Sequence, residues 1–219
     1  MRNPHSPVDK PTVDVVTVWH RDFNRAQAEA LRARLADIDP EPHHYILVDN
    51  SPAGSRSFAA GCNVGSMEGT APLILFLNPD CVVDAPFLGT LKAEFDEDPS
   101  IVIAGHRFGR PSADWRDRWG CNDWVCGAAM MVRRSWFAPG FDEAYQWGWE
   151  ETDLIRRAEK QRHRVKSIPL PIRHAIDGWD DRPEDTAVKK AGLHSGSQLF
   201  YKRWGRQRTP QPAQRGQRR

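Results

Sequence analysis

The chain has 219 residues, enough for one domain with a sizeable core, and its 39% apolar and 27% charged residues are ordinary for a globular protein. No apolar run approaches the roughly 20 residues that cross a bilayer, which excludes an integral membrane protein with a spanning helix. The four cysteines lack metal-type spacing and no signal peptide is recognisable, so we expect reduced thiols and a cytoplasmic protein.

The net charge of +2 is unevenly distributed along the chain. The segment from Lys202 to Arg219 carries seven lysines and arginines and no acid, which leaves about −5 for the rest. We therefore expect a globular domain over residues 12–204, a flexible lead-in over 1–11 and a disordered basic tail over 205–219. Such a tail makes the protein more soluble, or it attracts anionic lipid headgroups or nucleic acid; a lipid contact would make the protein peripheral to a membrane.

Strand and helix patterns alternate in the first half of the chain. Apolar and β-branched runs predict strands, and leucines and alanines at helical spacing predict helices. In chain order we predict a strand over 13–19, a helix over 26–38, a strand over 45–48, a helix over 57–67, a strand over 73–77, a helix over 87–95 and a strand over 101–104. This alternation predicts a single α/β domain with a mostly parallel, Rossmann-like central sheet flanked by helices.

The pattern changes after Gly105. Residues 106–122 are rich in Arg, Asp, Gly and Trp without a steady period, which predicts a long loop, and long loops in compact domains are often functional. We then predict a return to the core over 125–132, a helix over 150–161, a strand over 165–170 and a closing helix over 183–204.

The most informative local feature is the end of the third predicted strand. Its apolar run stops at Asn78-Pro79-Asp80, because a proline cannot donate to a sheet ladder. The Asp80 carboxylate therefore lies at a strand's carboxyl end, where open α/β sheets bind their ligands. A carboxylate in that place suits a divalent cation on a phosphate, although Asn-Pro is also a common start of a plain surface turn.

Three further acidic or basic features lie at the ends of predicted strands and helices. Asp49 closes the second strand, Glu150 and Glu151 open a helix, and His174 follows the last strand. Each has a simpler explanation: turn chemistry for Asp49, helix capping for the glutamates and a structural role for a lone histidine. Parallel strands place Asp49 and Asp80 at the same edge of the sheet, which favours a shared site.

Seven short blocks in order resemble the family 2 glycosyltransferases, and most closely their rhamnosyltransferase-like branch. The resemblance runs from about residue 13 to 179. The blocks are Thr17-Val18-Trp19-His20, Val48-Asp49-Asn50-Ser51, residues 57–65, Leu77-Asn78-Pro79-Asp80, residues 127–134, Gly140-Phe141-Asp142-Glu143 and residues 149–154.

The resemblance implies a GT-A fold and an inverting transfer from a nucleoside-diphosphate sugar to a hydroxyl of a glycan, lipid-linked or protein acceptor. Asp80 and His174 would hold Mn²⁺ or Mg²⁺, and Glu151 would be the catalytic base, with Glu150 as the second choice. The nucleotide-binding residues implied by position are Thr17, Trp19, Asp49, Asn63 and Asn78. The tryptophans would be platforms for sugar rings or simply packing residues, with Trp147 and Trp149 on the acceptor side and Trp115 and Trp119 as further candidates.

Two other functions compete with this one. A sugar nucleotidyltransferase would need a loop with glycine and lysine after the first strand to hold a triphosphate, whereas His20-Arg21-Asp22-Phe23 stands there. A non-catalytic protein that binds a nucleotide, or nucleic acid through the basic tail, would not need Asp80, Glu151 and His174 together. The sequence therefore favours a metal-dependent glycosyltransferase.

Overall fold

The structure is a computed structural model that describes residues 10–20, 22–51, 57–109, 116, 118–174 and 183–205. Most of the predicted lead-in, all of the basic tail after Gly205, and Trp115 lie outside these residues. Within them no helix combines the length and apolarity needed to cross a membrane. The four cysteines are free thiols, as expected.

The described elements alternate as predicted through the first half of the chain. In chain order they are β1 (Val13–Trp19), α1 (Asp22–Ile38), β2 (His43–Asp49), α2 (Phe58–Glu68), β3 (Leu73–Leu77), β4 (Cys81–Val83), α3 (Leu88–Glu97), β5 (Ile101–Gly105), β6 (Ala129–Arg133), α4 (Arg134–Phe137), α5 (Glu150–Lys160), β7 (Arg164–Ser167), β8 (Ile172–His174) and α6 (Pro183–Trp204). Of these, β4, α4 and β8 are not predicted from the sequence, because three or four residues are too few to show a pattern. His174 therefore lies within the last strand, not after it as predicted.

Six strands form the central sheet in the order β2-β1-β3-β6-β5-β7. β6 runs antiparallel to both of its neighbours, while the other pairs are parallel. β1, β3 and β5 are buried along their whole length because helices cover both faces of the sheet. The predicted single-domain α/β fold with a mostly parallel sheet is confirmed.

Alternate side chains of the sheet build two cores, one on each face. Along β1, Val15 packs in the core that also contains Leu35 of α1, whereas Val16 packs in the core that contains Ala59 of α2 and Leu154 of α5. Both cores are made of buried apolar side chains, whose removal from water provides the main stabilisation of the fold. The sheet therefore gives its strand ends a rigid support.

A separate two-stranded sheet joins β4 to β8. The antiparallel register pairs Cys81 with His174, and an ion pair between Asp84 and Arg173 lies beside it. The residues that pair are about ninety positions apart in the chain, so no local pattern indicates the contact. The pairing fixes the position of His174 next to the residue that precedes Cys81, which is Asp80.

Helix α6 packs closely on the segment that enters α5. A Cβ atom at Gly192 would lie 2.4 Å from Cβ of Trp147, and one at Gly196 would lie 2.9 Å from Cδ1 of Trp149. At its C-terminal end α6 donates hydrogen bonds from Arg203 and Trp204 to the fully buried Asp153 of α5. These contacts attach α6 to the first turn of α5.

Candidate active site

A cavity of about 290 Å³ lies at the carboxyl ends of β1 and β3. Its wall is formed by the end of β1, the starts of α1 and α2, the turn after β3, the loop before β6, the segment that enters α5, and single residues of β8 and α6. The structure brings six of the predicted site residues into this wall. They are Asn78, Asp80, Trp147, Glu150, Glu151 and His174.

Asp80 and His174 meet at the wall of the cavity. The imidazole Nε2 lies 3.1 Å from each oxygen of the Asp80 carboxylate. Asp80 is placed by the turn after β3, where the amide of Asn78 donates to the carbonyl of Ala128 across the sheet. His174 is placed by the β4–β8 pairing. Two side chains from distant parts of the chain therefore present an oxygen and a nitrogen to one point.

This pair fits a divalent cation that is only partly coordinated by protein. Carboxylate oxygen and imidazole nitrogen are both metal ligands, and here they already converge at hydrogen-bond distance. Among the described residues no group of three or more His, Cys, Asp or Glu side chains could hold a metal. Mg²⁺ and Mn²⁺ in phosphate-transfer sites often keep several positions for water and substrate phosphate, so a two-residue site is suitable.

Glu150 and Glu151 belong to the first turn of α5, and the residue just before this helix has an unusual backbone conformation. Trp149, just before the helix, has a φ of 76°, a left-handed conformation that costs a non-glycine residue about 1–3 kcal/mol. Its indole is held by a hydrogen bond from Nε1 to the carbonyl of Leu193 in α6 and by ring contacts with Phe200 and Tyr201. The packing of α6 thus holds the strained residue that directs Glu150 and Glu151 to the cavity.

Glu150 is in an unusual environment for a carboxylate. Its residue is only 6% exposed, and among the described residues no donor bonds to its Oε2 atom. Burial, and then the neighbouring charge of Glu151, raise the pKa of Glu150 from 4.5 to about 8. The raised pKa favours the protonated form of Glu150, and the half-buried Glu151 lies beside it in the same cavity wall.

Three residues of the wall carry a buried side-chain oxygen that has no hydrogen-bond partner among the described residues. These oxygens are Oδ1 of Asn24, Oδ1 of Asn78 and Oε2 of Glu150. A buried acceptor without a partner costs about 1–3 kcal/mol, so it usually signals a ligand or a water. Three of the residues that line the cavity therefore each have a buried oxygen that the described protein leaves unsatisfied.

Two predicted nucleotide-binding residues, Thr17 and Trp19, do not belong to the described wall of this cavity. The Thr17 hydroxyl is fully buried, bonding to the hydroxyl of Tyr45 and donating to the carbonyl of Leu77. Trp19 is 7% exposed and the guanidinium of Arg25 lies over its ring. Both side chains point to the face of β1 opposite to Val18, which does line the cavity, and their predicted role stays a prediction.

Asp49 and Asn63 are also outside the described wall. The exposed Asp49 accepts hydrogen bonds from the hydroxyl and the amide of Ser51, which hold the pKa of its carboxyl below the usual value. The amide group of Asn63 donates to the carbonyl of Phe141 and to Glu143, and it accepts from the amide of Phe141. Asn63 therefore fastens α2 to the chain before α5, and its predicted nucleotide contact stays a prediction.

The predicted tryptophan platforms divide into two groups. Trp147 lines the cavity, and its contact with a sugar ring stays a prediction. Trp149 is not in the described wall but packs against Trp119 as well as α6, with 5.8 Å between the Trp119 and Trp149 ring centroids. Trp149 and Trp119 thus have a packing role in the structure, and their contact with a sugar stays a prediction.

Four residues of the wall with a ring or a charged or amide side chain, His20, Asn24, Phe58 and Lys189, have no role assigned from the sequence. His20 and Phe58 follow β1 and open α2, positions that the strand-end rule could have indicated. Asn24 looks like any polar residue of an amphipathic helix, and its burial is visible only in the structure. Lys189 reaches the cavity from α6, more than a hundred residues from Asp80, so no local signal points to it.

Comparison with known proteins gives a match of fold without a match of sequence. No protein-family model and no curated protein matches the chain. The mannosyltransferase PcManGT from Pyrobaculum calidifontis, solved in complex with GDP-Man and Mn²⁺, has a similar structure with a TM-score of 0.66 and 13% identity over 90% of this chain and 68% of that one. The chain therefore shares its fold with this solved structure.

A second solved structure shows the same fold. TarS from S. aureus has a TM-score of 0.57 and 13% identity over 86% of this chain and 39% of that one. The chain therefore spans less than half the length of TarS.

Proposed function

We propose that the protein is an inverting, metal-dependent glycosyltransferase that moves a sugar, of the hexosyl type, from a nucleoside-diphosphate sugar to an acceptor hydroxyl. The observation that carries the proposal is the shared cavity: the Asp80–His174 pair and the Glu151 carboxylate face one space at the carboxyl ends of the strands. A transfer by single displacement needs these two parts, a place for the leaving diphosphate and a base for the incoming hydroxyl.

Asp80 and His174 would hold Mn²⁺ or Mg²⁺. When bound, the cation neutralises the charge that develops on the diphosphate as the bond to the sugar breaks. Lys189 of α6 lies in the same wall and adds a positive charge for that anion. The mannosyltransferase with a similar fold was solved with GDP-Man and Mn²⁺, which supports this class of donor and this class of metal.

Glu151 takes the proton of the acceptor hydroxyl in this proposal. A base must be ionised at the working pH, and the buried Glu150, with its pKa of about 8, meets that condition less well. Glu150 in its protonated form instead donates a hydrogen bond to a ligand oxygen or accepts one at its unpaired atom. Trp147 offers an apolar ring to the acceptor, and the resemblance to rhamnosyltransferases stays a prediction about the sugar.

Donor hydrolysis tests the proposal. With Mn²⁺ present, the protein should slowly hydrolyse one of a panel of UDP, dTDP and GDP sugars, with water in place of the acceptor. Asp80→Ala should abolish this reaction, while Asp96→Ala, which removes an exposed carboxylate of α3, should not. Lack of turnover with every donor, together with nucleotide binding, would instead support the non-catalytic alternative. Incorporation of labelled pyrophosphate into a nucleoside triphosphate would support a nucleotidyltransferase.

The basic C-terminal segment supports a contact of the protein with an anionic surface. The segment from Lys202 to Arg219 has seven positive charges and no acid. Its charge would draw the protein to a membrane of acidic lipids, with each basic residue near the surface contributing about 1 kcal/mol. Cosedimentation with vesicles of acidic lipid, falling steeply with added salt and absent without residues 206–219, tests this contact.

A further inference from the structure

Three rings form a row that ends at His174. The ring centroids of His106 and Phe108 are 4.5 Å apart, and those of Phe108 and His174 are 5.4 Å apart. His174 lines the cavity, whereas His106 and Phe108 are not in its described wall. The row therefore reaches the candidate metal pair from outside that wall.

The first ring of the row is fixed by hydrogen bonds. Nδ1 of His106 lies 3.0 Å from the carbonyl oxygen of Ile168 and 3.1 Å from the amide nitrogen of Leu170. The backbone amide of His106 donates to the carbonyl of Ala129, and its carbonyl accepts from the amide of Cys126. His106 is therefore a firm support for the ring that packs on it.

Phe108 has a backbone conformation that is rare for its residue type. Its φ is 47°, in the left-handed region, and the next residue, Gly109, has a φ of 74°. A non-glycine residue stays in this region only where its surroundings impose it, and such residues are found mainly at functional sites. Phe108 also packs against the core that contains Leu35, so a purely structural role is the competing explanation.

The imidazole of His174 needs a support besides Asp80 when a cation is bound. Nε2 of His174 lies 3.1 Å from each oxygen of the Asp80 carboxylate. A cation on Nε2 takes the lone pair of that nitrogen, so Nε2 can no longer donate to Asp80. The β4–β8 pairing fixes the backbone of His174, but the torsions of its side chain depend on packing.

We propose that Phe108 is a positioning residue, whose ring keeps the imidazole of His174 turned toward Asp80 when Mn²⁺ or Mg²⁺ binds. The inference rests on the proposed function, because that function assigns the cation to Asp80 and His174. An imidazole that is already oriented loses less freedom on binding, so the cation is held more tightly.

Cation affinity tests the proposal without an activity assay. Phe108→Leu keeps an apolar side chain against the core but removes the ring, and Phe108→Tyr keeps the ring. Electron paramagnetic resonance measures the Kd of Mn²⁺ with saturating UDP or GDP. We expect this Kd to rise about tenfold in Phe108→Leu and to stay within about twofold in Phe108→Tyr.

Trp136→Leu is the matched control for the loss of a ring that packs on a histidine. The ring centroids of Trp136 and His163 are 6.0 Å apart, and neither residue is in the described wall of the cavity. Trp136 also donates from Nε1 to Gln161, so its substitution should lower the Tm but leave the Kd of Mn²⁺ unchanged.

Two results would overturn the inference. Unchanged Mn²⁺ binding by Phe108→Leu, or an equal loss in Phe108→Leu and Trp136→Leu, would mean that Phe108 only supports the fold. If the unaltered protein binds no Mn²⁺ with either nucleotide, the proposed metal site itself fails.

Nuclear magnetic resonance tests the orientation of the His174 ring with no cation present. Asp80→Ala removes the partner of Nε2, so the hold by Phe108 is measured alone. Relaxation of the His174 Cε1–H group should show an ordered ring in Asp80→Ala and a mobile ring in Asp80→Ala/Phe108→Leu. Equal mobility in the two proteins would contradict the inference, whether or not the protein is a glycosyltransferase.

Discussion

Two adjacent carboxyl groups with different surroundings are the centre of the site at the residue scale. Glu150 is buried with a raised pKa, while Glu151 is half-buried and next to it in the wall. Pairs of titratable groups whose environments separate their pKa values commonly divide the acid and base roles between them. Under the proposed function Glu151 is the base, and Glu150 is its buried neighbour, whose raised pKa favours the protonated form.

Amide substitutions test that division. Glu151→Gln removes the base while keeping the shape, so we expect kcat to fall about 10²–10⁴-fold. Glu150→Gln keeps a neutral hydrogen-bonding group, and its kcat should fall less than about tenfold at pH 7. Initial rates of donor hydrolysis and of transfer to an acceptor measure both. If Glu150→Gln shows the larger loss, Glu150 is the base and the assignment is reversed.

The raised pKa of Glu150 also predicts how stability depends on pH. The unfolded chain releases this proton near 4.5, but the folded protein keeps it up to about 8. The unfolded state is therefore favoured increasingly as the pH rises between these values, and this group destabilises the fold across that window. Glu150→Gln has no such proton, so its Tm should match that of the unaltered protein near pH 4.5 and exceed it near pH 8.

The exposed Glu97 of α3 is the matched control for this experiment. Glu97→Gln makes the same chemical change at the surface and should give a Tm difference that does not grow between the two pH values. A Glu150→Gln difference that stays constant with pH would show that Glu150 is ionised in the fold.

At the scale of elements, the packing of α6 against the start of α5 fixes the positions of several site residues. Gly192 and Gly196 let α6 approach Trp147 and Trp149, and the buried Asp153 collects donors from Tyr145, Arg157, Arg203 and Trp204 at 2.7–3.2 Å. The same helix carries Lys189 to the cavity. One packed interface therefore positions the start of α5 and the cationic side of the wall together.

Adding a methyl group at Gly192 tests this attachment. Ala is about 1 kcal/mol better than Gly within a helix, but overpacking against Trp147 at 2.4 Å costs about 1–3 kcal/mol. Gly192→Ala should therefore lose up to about 2 kcal/mol in urea unfolding and weaken donor binding. Gly89→Ala in α3, where the nearest atom is 3.7 Å away, should be neutral or stabilising. Equal effects of both substitutions would exclude a tight α6 contact.

Local patterns account for most of the elements. β3 and α6 begin and end where the sequence predicts, because β3 is a continuous apolar run and α6 is long and has no proline after Pro183. The pairing of β4 with β8 and the antiparallel direction of β6 are not predicted, since each depends on partners far away in the chain. Helix α4 is a single turn, too short to show a period.

The candidate site shows the same difference between features that local patterns predict and features that depend on partners far away in the chain. Asp80, Glu150 and Glu151 lie in one wall as the sequence predicts, because strand ends and helix starts can be located from local signals. His174 joins them through the β4–β8 pairing, which no local signal indicates. Successive side chains of β1 point to opposite faces of the sheet. Thr17 and Trp19 therefore lie on the face opposite to Val18, which lines the cavity. The acceptor oxygen of Asn24 could not be predicted, since its burial arises from tertiary packing.

At the scale of the whole molecule, the proposed function makes nucleotide binding and cation binding interdependent. In the proposed function the diphosphate binds beside the Asp80 carboxylate, which would repel it without a cation between them even with Lys189 in the same wall. Asp80 and His174 supply only two protein ligands, so a cation would in turn be held weakly without the diphosphate. Each ligand is expected to increase the affinity of the other by the same factor.

Thermal unfolding of the full chain measures this dependence. A ligand at one hundred times its Kd stabilises the folded state by about 2.7 kcal/mol, which corresponds to a Tm rise of about 5–10 °C for a protein of this size. We expect such a rise with Mn²⁺ and the preferred nucleoside diphosphate together, and little with either alone or after EDTA. Asp80→Asn should abolish the rise and Asp96→Asn should keep it. An undiminished rise in EDTA would show that nucleotide binding does not depend on the cation, and the metal-dependent part of the proposal would be wrong.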